Sequence, residues 1–138
     1  MRFMVILKAT PTSEAGVIPD DRFLVEMLDY DEDLVKAGVL LAGEGLHPSS
    51  KGKRVRFAGG QVTVIDGPFA EPGELVAGFW LWELDSMDEA VAWVRRCPTP
   101  SGLATEIEIR QVFEAEDYET GLAPELDGEQ GHRRGQPA

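Results

Sequence analysis

Leu75-Val76-Ala77-Gly78-Phe79-Trp80-Leu81-Trp82 is apolar on both of its alternating faces. A strand with one wet face alternates apolar and polar side chains, so this stretch predicts a strand covered on both sides. Gly78 inside it marks a close backbone approach or a bulge. Upstream, Arg54-Val55-Arg56-Phe57 and Val62-Thr63-Val64-Ile65 alternate, and Gly59-Gly60 between them supplies a hairpin turn. Downstream, Ser86-Met87-Asp88-Glu89 reads as a capping box that opens a helix. Ala90, Val94 and Cys97 share one face of that helix, and Pro98 stops it. Thr105 to Arg110 then alternates as a last strand, with Ile107 and Ile109 facing in.

The first half repeats the plan. Arg2 to Lys8 reads as a strand and Ala9 to Pro19 as a loop. Asp20 or Asp21 caps a helix whose apolar residues recur at Phe23, Leu24, Met27, Leu28, Leu34 and Val35. Gly38 suits a left-handed helix end. Val39 to Gly43 is a short strand, and Glu44 to Gly52 a loop. The order is strand, helix, strand, inserted hairpin, strand, helix, strand. Without the hairpin this is a split βαβ, ferredoxin-like α+β plan. Two helices cover only one face of such a sheet, so the doubly apolar strand predicts a homodimer with two sheets packed face to face.

Composition narrows the class. The chain has 138 residues, 25 acidic and 13 basic, for a net charge of −12. One domain over residues 1–113 is expected, followed by an acidic, flexible tail over 114–138 that includes His132-Arg133-Arg134. The charge argues against nucleic acid as a direct partner. No apolar run reaches the roughly 18 residues of a membrane span, and the N-terminus lacks a signal-peptide pattern, so a cytoplasmic protein is expected. The single cysteine, Cys97, excludes an intrachain disulfide. Its place at a helix C-terminus suits a small buried hydrophobe better than a reactive thiolate.

Asp66-Gly67-Pro68-Phe69 follows the hairpin and forces a turn. Asp66 could be a general acid or base if Phe69 and Trp80 or Trp82 bury it, or it could only shape the turn. Glu44 and Glu71 could add carboxylates around the same space, whereas Glu74 reads as a solvated loop charge. His47, the one histidine of the expected domain, could shuttle a proton, join Glu44 and Asp66 around a divalent metal, or simply be exposed before Pro48. Arg54 and Arg56 could hold the carboxylate of a small organic acid, or pair with Glu71 or Glu44. No metal-ligand spacing and no Gly-rich phosphate loop occurs, so no cofactor is expected.

Leu46-His47-Pro48-Ser49, Arg54-Val55-Arg56, Asp66 to Glu71, Gly78-Phe79-Trp80, Arg96-Cys97-Pro98 and Glu106 to Arg110 together resemble the DGPF-motif branch of the YCII-related proteins. The resemblance runs from about Met1 to Phe113 and implies a dimeric α+β barrel. It implies a small protein capable of lyase-like chemistry, since the wider family includes a dehydrochlorinase acting on a chlorinated hydroxymuconate through a His–Asp pair. It also implies an alternative, a regulatory module linked to sigma-factor transcription control. Two departures stand out. The lysine that often follows the motif is replaced by Gly73, and no histidine precedes His47, so that catalytic pair is not carried over.

Overall fold

A computed structural model describes residues 1–69, 74–99 and 104–118. Its elements are β1 (Arg2–Lys8), α1 (Pro11–Glu14), α2 (Asp21–Lys36), β2 (Leu40–Gly45), β3 (Lys53–Ala58), β4 (Gln61–Asp66), β5 (Val76–Glu83), α3 (Met87–Arg95) and β6 (Ile107–Gln111). Four strands form an antiparallel sheet in the order β2-β5-β1-β6, and β3 and β4 pair only with each other. This is the ferredoxin-like order with a hairpin arm inserted between β2 and β5.

Local chemistry sets the boundaries. Asp20 caps α2 by accepting the Phe23 N–H at 2.9 Å. At the other end Gly38 takes φ +73°, and the N–H groups of Gly38 and Val39 return to the carbonyls of Val35 and Leu34. That pair of bonds is a Schellman ending, and it needs the left-handed residue that glycine supplies. Ser86 caps α3 by accepting the Glu89 N–H. The Glu89 carboxylate binds the N–H of Asp85 instead of Ser86, so the box is shifted by one residue. A second capping box, Thr10 with Ser13, builds α1 inside the stretch expected to be loop.

The core lies between the sheet and the two long helices. Phe3, Val5 and Trp82 are fully buried, with Tyr30 and Leu34 of α2 packed beside Trp80 and Trp82. The two indoles stack with centroids 5.6 Å apart. Tyr30 donates its hydroxyl proton to the Trp93 carbonyl at 2.5 Å, joining α2 to α3. On the opposite face of the sheet, Met4 stands across from Leu81 and Ile6 across from Phe79. Both faces of β5 are therefore apolar, as expected, and the helices cover one of them.

The structure corrects several expectations. Leu24, Leu28 and Val35 are exposed, whereas Tyr30 and Leu34 fill the core. At 100° per residue, Leu24, Leu28 and Val35 form a second stripe rotated by roughly 100° from the core stripe of Phe23, Met27, Tyr30 and Leu34. β2 extends through Glu44 and Gly45, which were expected in a loop, because their backbone pairs with Phe79 and Gly78. Residues 114–118, expected in the tail, include a 3₁₀ turn at Ala115–Tyr118, and Arg2 binds Glu114 at 2.8 Å. The remainder of that expected tail lies outside the described residues.

Trp82 is the largest fully buried side chain. Trp82→Ala is expected to lower the unfolding free energy by about 3–5 kcal/mol in urea titrations. A loss under about 1 kcal/mol would contradict this account of the core.

Candidate functional site: a groove between the first long helix and the edge strand

The space arises from missing side chains. On the helix-facing side of the sheet, Gly43, Gly45 and Gly78 occupy successive positions beside Trp80, with Gly45 directly opposite Gly78. A Cβ at Gly43 would meet the Trp80 ring at 2.5 Å, and one at Gly78 would meet the Glu44 carbonyl at 2.9 Å. These two glycines are therefore close-approach positions. A Cβ at Gly45 would meet nothing within 4 Å, so it would project into open space.

That space is a cavity of about 280 Å³ lined by Met27, Asp31, Leu40, Gly43, Gly45 and Trp80, among others. It adjoins a second cavity of about 420 Å³ whose walls include Phe23, Ile18, Leu46, His47, Cys97 and Lys8. Leu7, Gly45 and Ala77 line both, so they form one groove. Phe23, Met27 and Asp31, spaced four apart, follow it along α2.

Asp31 is the polar group of this groove that sequence reading passed over. It is half-buried, and Trp80 donates its indole Nε1–H to Oδ1 at 3.1 Å. Burial raises its carboxyl above the ordinary value of 3.8, and the indole bond opposes that shift. Cys97, at the far end, is pushed up to about 11, first by burial and then by the charge of Asp31. Its thiol is thus held protonated, in keeping with the unreactive reading.

The residues picked from the sequence separate into two places. His47 is exposed on the wall of the larger cavity, and Glu44 lies on the edge strand beside the smaller one. Asp66 belongs to the hairpin. It is 73% exposed and ion-paired with Lys53, its cross-strand partner. The expected burial by Phe69 and the indoles does not occur, because Trp80 and Trp82 point into the core under α2. Arg54 sits over the Phe69 ring, 4.0 Å from its centroid, and Arg56 is exposed opposite Thr63. Neither arginine pairs with Glu44 or Asp66; Glu71 lies outside the described residues.

The Asp66–Phe69 turn has a different task in this geometry. The Gly67 N–H reaches the Gly52 carbonyl at 3.0 Å, and the Phe69 N–H reaches Ser49 Oγ at 3.1 Å. A Cβ at Gly67 would run into the Ser49 carbonyl, so only glycine fits there. Ser49 in turn donates its hydroxyl to Glu14 Oε1 at 2.5 Å and its N–H to Oε2 at 2.7 Å. These bonds hold the Glu14 carboxyl below its ordinary range, the side-chain bond contributing most. The turn thereby fixes Ser49, and with it the His47-Pro48 wall of the groove. Glycines at 43 and 45 within a strand, and one carboxylate beside an apolar helical stripe, were the available sequence signals for the groove.

A ferredoxin-like α+β domain with a glycine-floored groove behind its edge strand is the class that fold and site define. The chain belongs to the YCII-related domain family, which it matches over residues 1–116. It is 31% identical over 91 residues to the uncharacterized protein R00369 of Rhizobium meliloti (strain 1021), covering 66% of this chain and 73% of that protein. It is also similar to the solved structure of 5-chloro-2-hydroxyhydroquinone dehydrochlorinase (TftG) from Burkholderia phenoliruptrix AC1100 in complex with 2,5-dihydroxybenzoquinone. That likeness has a TM-score of 0.42 and 20% identity, covering 85% of this chain and 99% of the other.

Asp31 yields a pH prediction. Its pKa is raised in the folded chain, so the folded state binds more proton than the unfolded state from about pH 3.8 upward. The stability it contributes is fully present below that pH and is lost as pH rises through the folded value. Asp31→Asn is therefore expected to gain stability relative to the parent between pH 3.5 and pH 7, read by urea titration at each pH. A parallel pH dependence in the two proteins would contradict the assignment.

Proposed function

We propose that the groove binds a small, largely apolar organic molecule and that Asp31 exchanges a proton with it. The observation that carries this reading is a half-buried carboxyl, raised by burial, on the wall of a continuous groove floored by Gly43, Gly45 and Gly78. A carboxyl shifted toward neutrality can both give and take a proton under mild conditions. In a cofactor-independent elimination, Asp31 would take a proton from carbon. The C–H electrons would become the new double bond as the leaving anion departs. An anionic end of the ligand would meet His47 in the wider cavity, which retains the organic-acid reading without the Arg54–Arg56 fork.

The reading includes a homodimer. The sheet face turned away from the helices carries Met4, Ile6, Phe79 and Leu81, and a second sheet packed against it would cover them. Among the described residues, no helix is long and apolar enough to cross a membrane. The regulatory alternative has its material outside the groove, on the exposed hairpin.

A thermal-shift screen of small organic acids and aromatic compounds tests the groove. At least one compound is expected to stabilise the parent protein. Gly45→Val should abolish that stabilisation by filling the groove while leaving the unliganded Tm close to the parent's. Asp31→Asn should weaken it at least tenfold in Kd, whereas Asp66→Asn should not change it. Equal binding by Gly45→Val and the parent would refute the site.

A further inference from the structure

The groove is longer than a single ring. Phe23 and Asp31 lie eight residues apart on α2, which at about 1.5 Å per residue places them roughly 12 Å apart along its axis. Along β2 the order is reversed. Gly43 stands in the smaller cavity with Asp31, Gly45 at the junction, and the chain continues to His47 on the wall of the larger cavity. An apolar cavity of about 150 Å³ holds a benzene molecule. The two cavities, of about 280 and 420 Å³, each exceed that. One ring beside Asp31 therefore leaves the larger cavity unfilled.

The two ends differ in polarity. Asp31 accepts the Trp80 indole N–H on Oδ1, and its Oδ2 takes no hydrogen bond among the described residues. That oxygen is left to a donor on a ligand in the smaller cavity. Phe23, Ile18, Leu46 and Ile107 line the larger cavity, and the Cys97 thiol on its wall stays neutral. Lys8 lines it too, but its charge is met by Glu108 at 3.1 Å. Thr10 and Ser13 spend their hydroxyls on each other's N–H groups in the cap of α1. An apolar chain entering this end removes its own surface from water without stranding those polar groups.

We propose that the groove takes an elongated ligand in two parts. A head with a hydrogen-bond donor sits beside Asp31 in the smaller cavity, and an apolar tail crosses Leu7, Gly45 and Ala77 into the larger one. This rests on the groove reading above and narrows its substrate class to amphiphiles that span about 12 Å. Gly45 is the specificity-determining residue. Its missing side chain keeps the junction open, since a Cβ there meets nothing within 4 Å. An anionic end meeting His47 belongs to the tail, away from the Asp31 carboxylate that would repel it.

The test titrates the full chain with 4-alkylbenzamides, from methyl to hexyl, by calorimetry at pH 7. Kd is expected to fall about fourfold for each added methylene, up to the tail length that fills the larger cavity. Asp31→Asn should weaken every member at least tenfold, by the same factor, and leave that slope unchanged. Leu46→Glu and Ile18→Asp, at positions 49% and 79% exposed, should each remove the slope and leave the Kd of 4-methylbenzamide within about twofold of the parent's. A flat series in the parent, with Asp31→Asn still weakening it, overturns the tail and leaves the groove standing. A slope that survives both charged variants puts the tail elsewhere and also overturns the proposal. Binding by no member overturns the two-part ligand. A hit in the thermal-shift screen then keeps the groove, and no hit removes both.

Discussion

The Ser49 side chain is the joint on which the rest of this structure depends. Its hydroxyl accepts a hydrogen bond from the Phe69 N–H and donates one to the Glu14 carboxylate, while its carbonyl leaves no room for a side chain at Gly67. Three segments meet there: α1, the connection from β2 to β3, and the Asp66–Phe69 turn. Charge-assisted bonds of this kind are stronger than neutral ones, and here the acceptor carboxylate is fixed by two donors from one residue. The joint sets the direction in which the hairpin arm leaves the body. It also sets the position of His47 and Pro48 on the groove wall.

The groove itself follows from a packing conflict resolved by glycine. Trp80 is needed in the core, where it stacks on Trp82 and lies 5.6 Å from the Tyr30 ring. Its indole edge then crowds β2, and a side chain at Gly43 would collide with it. Glycine there, with Gly45 and Gly78 beyond it, leaves a trough between the edge strand and α2. The indole N–H at the edge of the core needs an acceptor, and Asp31 supplies one. Burial of a carboxyl beside an empty trough raises its proton affinity, and the same arrangement that satisfies the indole makes a group suited to proton exchange.

Much of the fold was legible in the sequence because local and global signals agreed. The Gly59-Gly60 turn, the Gly38 ending and the doubly apolar β5 each specified one outcome, and the cap of α2 was narrowed to Asp20 or Asp21. The helical face was harder to read. Leu24, Leu28 and Val35 have the same spacing logic as the true core stripe, and periodicity alone does not say which of two stripes faces the sheet. The site was less legible for a related reason. Asp66 stands in a conspicuous turn, but its environment comes from Lys53 and solvent. Asp31 stands inconspicuously among six other acidic residues between Asp20 and Asp33, and only the fold places it beside Trp80. Glycines in β2 have no local purpose, and their meaning appears once the indole that opposes them is in place.

The position of a bound ligand decides between the groove and the hairpin turn. The chain's four methionines give a compact report, since Met27 lines the groove and Met1, Met4 and Met87 do not. Methyl-labelled methionine NMR with a stabilising compound should shift the Met27 signal and leave Met87 unmoved. An unmoved Met27 methyl, with shifts confined to the amides of the hairpin around Asp66, would contradict it.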